Sequence, residues 1–157
     1  MSVTEEGLAA IVVTRGNRDT HLILRGGRSG PNYDAASVQQ TLAVLGSGGL
    51  PPRVMIDASH GNSGKDFRRQ PGVARAVAEQ VASGEPGIIG VMLESFLVDG
   101  RQELSDPTTL TIGQSITDAC LGWEMTVPVL QELAAAVRTR RTRLAHSDHR
   151  LPSARRA

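Results

Sequence analysis

An arginine, a histidine and a glutamate stand at the ends of three apolar runs. Arg25 closes His21-Leu22-Ile23-Leu24, His60 follows Val54-Met55-Ile56-Asp57, and Glu94 closes Ile88-Ile89-Gly90-Val91-Met92-Leu93. From Arg25 to His60 is 35 residues and from His60 to Glu94 is 34, a nearly constant interval. With Asp118 further on, an imidazole and two carboxylates from three loops suit a divalent metal such as Mn²⁺ or Fe²⁺. The guanidinium of Arg25, beside Gly26-Gly27, suits a phosphate or carboxylate gripped through two parallel hydrogen bonds, with glycine leaving the backbone open to a ligand. The spacing has no compact form such as HExxH. The same residues read alternatively as a loop histidine, two solvated acids and a strand-end ion pair. Gly61-Asn62-Ser63-Gly64-Lys65 lacks the GxxxxGK pattern of a nucleotide loop, and Cys120 reads as a small buried hydrophobe.

The interval itself describes the elements that carry these residues. A buried strand, a loop, a helix and a return need about 30 or more residues, so the pattern predicts successive strand–helix units. The runs at Val54 and Ile88 are apolar on both faces, as parallel strands between two layers must be. Leu8 to Thr14 reads as a further strand, turned back at residues 17–20 to pair with the strand at His21. Asp34 is predicted to cap a helix over Ala35 to Leu45, closed by Gly46 and Gly48-Gly49. After a polar loop at residues 61–65, Pro71 opens a helix striped by Val73, Val77 and Val81 and ended by Gly84. A long turn-rich segment runs from Ser95 to Thr117. Thr126 is predicted to cap a last helix with Val129, Leu130, Leu133 and Val137 facing inward. In barrels of parallel strands the chemistry lies at the carboxyl ends of the strands, and a full eight-stranded barrel takes about 250 residues. The 157 residues of this chain hold about half of one.

Composition narrows the function classes. Apolar content of 39% with 21% charged residues describes a folded globular protein. No stretch reaches the ~20 apolar residues of a membrane span. A single cysteine rules out an internal disulfide framework and makes a reducing cytoplasm the expected compartment. Net charge is +1, but seven arginines fall between Arg138 and Ala157. They read as a solvated helix end and frayed terminus; no aromatic interleaves with them, so nucleic acid is not an expected partner, and without an apolar span neither is a membrane.

The segments HLILRGG, PNYDAASV, VMIDASHGNSGKDF, GIIGVMLESFLVDGRQEL and SITDACLGWE resemble the carboxyl-terminal half of class I 3-deoxy-D-arabino-heptulosonate 7-phosphate (DAHP) synthases, over roughly Ser2 to Arg141. The resemblance implies an α/β fold, the second half of a (β/α)8 barrel (about strands 5–8), in residues 1–143, with 144–157 as a basic tail expected to be disordered. It implies a transferase of the shikimate pathway, condensing phosphoenolpyruvate with erythrose 4-phosphate and water to give DAHP and phosphate. It implies a divalent metal (Mn, Fe, Co or Zn) held by His60, Glu94, Asp118 and a cysteine from the first barrel strand. That cysteine is not Cys120, which belongs to the SITDAC motif. His60 and Asp118 take catalytic roles by the same resemblance, and Arg25 of the LRGG motif contacts phosphoenolpyruvate. The family's phosphoenolpyruvate-gripping lysines and other arginines precede this region, and Lys65 is the single lysine here. Residues 1–4 resemble the end of the fifth strand, so a truncated or split gene, a fragment or a late start is expected. The expected partner is a second copy or a polypeptide carrying the first half; the alternative is an inactive remnant or partner subunit.

Overall fold

The computed structural model of the protein describes residues 2–17 and 19–148. Strands β1 (Ser2–Val3) and β2 (Ala9–Ala10) pair antiparallel. The central unit comes next: β3 (Leu22–Leu24), α1 (Ala35–Ser47), β4 (Val54–Asp57), a single turn α2 (His60–Ser63), α3 (Gln70–Ser83) and β5 (Ile88–Met92). β3, β4 and β5 form one parallel sheet in that order, with Leu24 opposite Ile56 and Asp57 opposite Met92. A small pair, β6 (Val98–Arg101) and β7 (Gln114–Ser115), and a long helix α4 (Trp123–Asp148) complete the chain.

The helices cover one side of the sheet for reasons local to their sequences. Asp34 caps α1, its carboxylate accepting from the Ser37 N–H at 2.9 Å and the Ser37 hydroxyl at 2.6 Å. This turns Val38 and Leu45 inward, where both are buried. In α3, Pro71 sits in the first turn, Val73, Val77 and Val81 are buried, and Gly84 ends the helix at φ 113°. Val77 and Val81 belong to one core cluster with Val54, Ile56 and Ile88 of the sheet, and each fully buried valine or isoleucine contributes about 1.5–3 kcal/mol. α4 lies against α3 and closes the layer with Ala136, flanked by the half-buried Leu133 and Val137. The Arg140 guanidinium donates to the carbonyls of Glu85 and Ile88 at 2.8 and 3.2 Å, tying α4 to the start of β5.

Four expectations are corrected. The Leu8–Thr14 run does not pair with β3; its strand is the two-residue β2, and Ile11, Val12 and Val13 lie open to solvent. A run apolar on both faces needs cover on both faces, and the described residues supply none. Residues 60–63 form a helical turn, closed by left-handed Gly64. Thr126 is not a cap: α4 starts earlier, because the Gly122 carbonyl already accepts the Met125 and Thr126 N–H groups, and the Thr126 hydroxyl donates back to it at 2.9 Å. Of the expected inner face, Val129 is buried while Leu130 is half exposed. Helix α4 continues through Leu144 to Asp148; the rest of the expected tail lies outside the described residues.

Candidate metal centre

The three parallel strands end side by side, and the residues just beyond each end are held in place by those beyond the others. Gly26, one residue beyond Arg25, has φ 83°, and a Cβ there would stand 2.6 Å from the Gly61 carbonyl carbon. A Cβ on Gly61 would in turn stand 2.8 Å from the Arg25 oxygen. Gly26 thus serves the approach of another backbone, where the sequence suggested a ligand. Asn62 fastens the same junction: its amide donates to the carbonyls of Leu24 and Asp57 at 3.1 and 2.7 Å, and its oxygen accepts from the Asn32 N–H. Asn32 accepts the Gly26 N–H at 2.7 Å. The exits of β3 and β4 are therefore one hydrogen-bonded unit.

The β5 exit is gripped from α3. The fully buried Gln70 accepts the Glu94 N–H at 2.8 Å and donates to its carbonyl at 3.2 Å. Leu121 also donates to that carbonyl at 2.9 Å, and Phe96 to the Leu121 carbonyl, which docks the loop carrying Asp118 beside Glu94. Cys120 and Gly100 exchange two backbone hydrogen bonds on the other side of that loop.

His60, Glu94 and Asp118 consequently converge, with one ligand atom from each lying within 4.8 Å of the others. Donors at ~2.0–2.2 Å from one ion stand about 3–3.6 Å apart at octahedral or tetrahedral angles, so seating a cation would draw the three groups closer together than they lie here. His60 and Glu94 are half-buried and Asp118 is exposed at the rim. His60 Nε2 lies 3.7 Å from Glu94 Oε1. His60 adopts φ 45°, a left-handed conformation unusual for a residue with a Cβ, and such strain persists where surroundings over-determine it. Ser59 occupies the N-cap position of α2 without capping it; its hydroxyl goes instead to Glu94 Oε2 at 2.5 Å. A nitrogen and carboxylate oxygens of this kind fit a divalent cation such as Mn²⁺, Fe²⁺, Co²⁺ or Zn²⁺.

Arg25 reaches the same rim. Its Nε lies 4.0 Å from Asp57 Oδ2, and its side chain is 60% exposed, so the guanidinium is available to an anion from solvent. Asp57 is the residue that sequence reading passed over. Its side chain is 4% exposed, and the same Oδ2 lies 2.7 Å from His60 Nδ1. A carboxylate three positions before a candidate ligand histidine was the available signal, because ligand histidines commonly give their second nitrogen to a carboxylate. Ser59 and Gln70 offered no comparable signal. Cys120 is half-buried, where the sequence suggested full burial. Burial above all, helped by the charges of Glu94 and Asp118 and opposed by Ser115, holds its thiol above the usual range. In the metal-free chain it is therefore a neutral thiol and a poor nucleophile.

Residues 1–131 match the family model described as the DAHP synthetase I family. The tyrosine-inhibited phospho-2-dehydro-3-deoxyheptonate aldolase of Schizosaccharomyces pombe is 52% identical over 145 residues, which is 90% of this chain and 39% of that protein. The Phe-sensitive enzyme of Escherichia coli K12 is 52% identical over 141 residues, 90% of this chain and 40% of that one. The structure of phospho-2-dehydro-3-deoxyheptonate aldolase from Francisella tularensis SCHU S4 matches with a TM-score of 0.77 and 46% identity, covering 88% of this chain and 40% of its own. This chain thus spans about two fifths of the length of the relatives it matches.

Proposed function

This chain belongs to the DAHP synthetase I family, and from that premise we propose that it is the metal-holding carboxyl-terminal half of a DAHP synthase barrel, a transferase of the shikimate pathway that works in the cytoplasm. The carrying observation is the convergence of His60, Glu94 and Asp118 at the carboxyl ends of parallel strands, with Arg25 on the same rim. In the proposed reaction C3 of phosphoenolpyruvate attacks the aldehyde carbon of erythrose 4-phosphate, water adds at C2, and phosphate leaves. Arg25 binds the phosphate or carboxylate of phosphoenolpyruvate through a charge-assisted fork. His60, Glu94 and Asp118 would hold the divalent cation, which when bound polarises the aldehyde oxygen as a Lewis acid. His60 and Asp118 belong to that cluster, which supports their catalytic assignment. Preorganised charge of this kind is worth most in a site closed to water.

The sheet supports a partner. β3 and β5 are its edges, Leu22 and Ile23 of β3 are exposed, and the Ile11–Val13 run lies uncovered. Strands from the remaining part of the family's barrel, or from a second copy, would cover them. Among the described residues no helix is long and apolar enough to cross a membrane.

The test has two arms. Co²⁺ titrated into the chain should give a d–d absorption band that weakens in His60→Gln, Glu94→Gln and Asp118→Asn; equal binding by all four proteins overturns the site. DAHP formation should appear when the chain is co-expressed with the part of a relative that it does not span. Two soluble halves that associate without turnover would favour the inactive-subunit reading.

A further inference from the structure

We propose that Asp57 is a positioning residue that dictates which nitrogen His60 offers to a metal. The inference rests on the metal reading of His60, Glu94 and Asp118 and adds a residue to it. Both oxygens of this buried carboxylate are engaged. Oδ1 accepts the Ser59 N–H at 2.8 Å, and Oδ2 faces His60 Nδ1 at 2.7 Å with the Arg25 guanidinium 4.0 Å away. A carboxylate accepts and does not donate, so the short contact requires the proton of the neutral ring to sit on Nδ1. Nε2 is left with a bare lone pair, and it is Nε2 that faces Glu94 Oε1 at 3.7 Å. Two electron-rich atoms pointed at each other with no proton between them are favourably placed when a cation lies between them. The strained backbone of His60, φ 45°, delivers the ring to this carboxylate.

An isosteric change separates this role from simple packing. In Asp57→Asn the amide oxygen would remain on the Ser59 N–H, since the alternative leaves two N–H groups facing each other. The amide NH₂ would then face His60 Nδ1, which must turn acceptor, moving the ring proton to Nε2 and blocking it.

The readout is long-range ¹H–¹⁵N NMR of the metal-free 157-residue chain with His60 in its neutral form, together with Co²⁺ titration. The His60 signals are assigned by their loss in His60→Gln, and the backbone amide spectrum reports the fold. The wild type should show a protonated Nδ1 and bare Nε2; Asp57→Asn should show the reverse and bind Co²⁺ about 10–100-fold more weakly. A wild-type ring protonated on Nε2 overturns the proposal, and this holds even if the variant does not fold. So does an unchanged tautomer with unchanged Co²⁺ affinity in folded Asp57→Asn. Wild-type protein that shows the tautomer but takes up no Co²⁺ defeats the metal reading, and this role of Asp57 with it. Equal Co²⁺ affinity with and without the Asp57 charge defeats the proposal alone.

Discussion

Gly26→Ala should do more damage than its position on an exposed loop suggests. Two costs add. The first is conformational: Gly26 sits at φ 83°, where a side chain costs about 1–2 kcal/mol. The second is steric: the new Cβ would lie 2.6, 2.7 and 2.9 Å from the Gly61 carbonyl carbon, Gly61 Cα and Asn62 nitrogen. All three are backbone atoms, so no rotamer can relieve the clash, and overpacking of this kind costs about 1–3 kcal/mol. The sum is about 2–5 kcal/mol. At roughly 2–4 °C per kcal/mol for a chain of this size, the thermal midpoint should fall by about 4–20 °C. Gly84→Ala is the control: φ is 113°, but nothing lies within 4 Å of the added Cβ. It should lose only the conformational cost, about 1–2 kcal/mol. Far-ultraviolet circular dichroism melts of the three proteins decide the matter, with Co²⁺ titration alongside, because forcing the β3 exit off the α2 turn also displaces His60. Equal melting of the two variants would show that the backbone contact between Gly26 and Gly61 carries no weight.

The same geometry sets the remaining outcomes. Gln70→Ala strands the Glu94 N–H and removes one partner of its carbonyl; at about 1–3 kcal/mol for an unsatisfied buried group, it should lower the urea midpoint and weaken Co²⁺ binding together, and loss of neither would remove Gln70 from the site. Asp34→Ala should cost about 0.5–2 kcal/mol by removing the α1 cap. The Ser37 hydroxyl first, then its N–H, hold the Asp34 carboxyl below its ordinary 3.8. Its contribution is therefore complete above pH 3.8 and lost as pH falls through the lower folded value. Wild type and variant should thus converge in acid melts, and a gap constant to the lowest pH would refute the charge-assisted cap. The chain by itself should form no DAHP with Mn²⁺, phosphoenolpyruvate and erythrose 4-phosphate, since positioning worth ~7–11 kcal/mol is incomplete. In the co-expressed pair Arg25→Ala should raise the phosphoenolpyruvate KM; an unchanged KM returns Arg25 to a structural role.

The local elements were legible because the signals that make them are local. Asp34 and its cap, Pro71 and Gly84 at the two ends of α3, the valine stripe between them, and the both-face apolar runs of β4 and β5 each act over a few residues. The interval marked Arg25, His60 and Glu94, but the candidate trio of His60, Glu94 and Asp118 was singled out chiefly by motifs resembling a known family. Three features depended on groups far apart in the chain. The Leu8–Thr14 run failed to become the neighbour of β3 because a strand needs cover, and cover is a property of the whole assembly. Gly26 was read as room for a ligand, because nothing in residues 25–27 announces that Gly61 will press against them. Ser59 and Gln70 joined the candidate site through contacts spanning 35 and 24 positions, whereas the Asp57–His60 contact spans only three and was open to a sequence reading. Sequence alone determines which groups can ionise, donate or coordinate. Which oxygen meets which ring nitrogen is decided by how three strand ends are fastened together, and that fastening exists only in the folded chain.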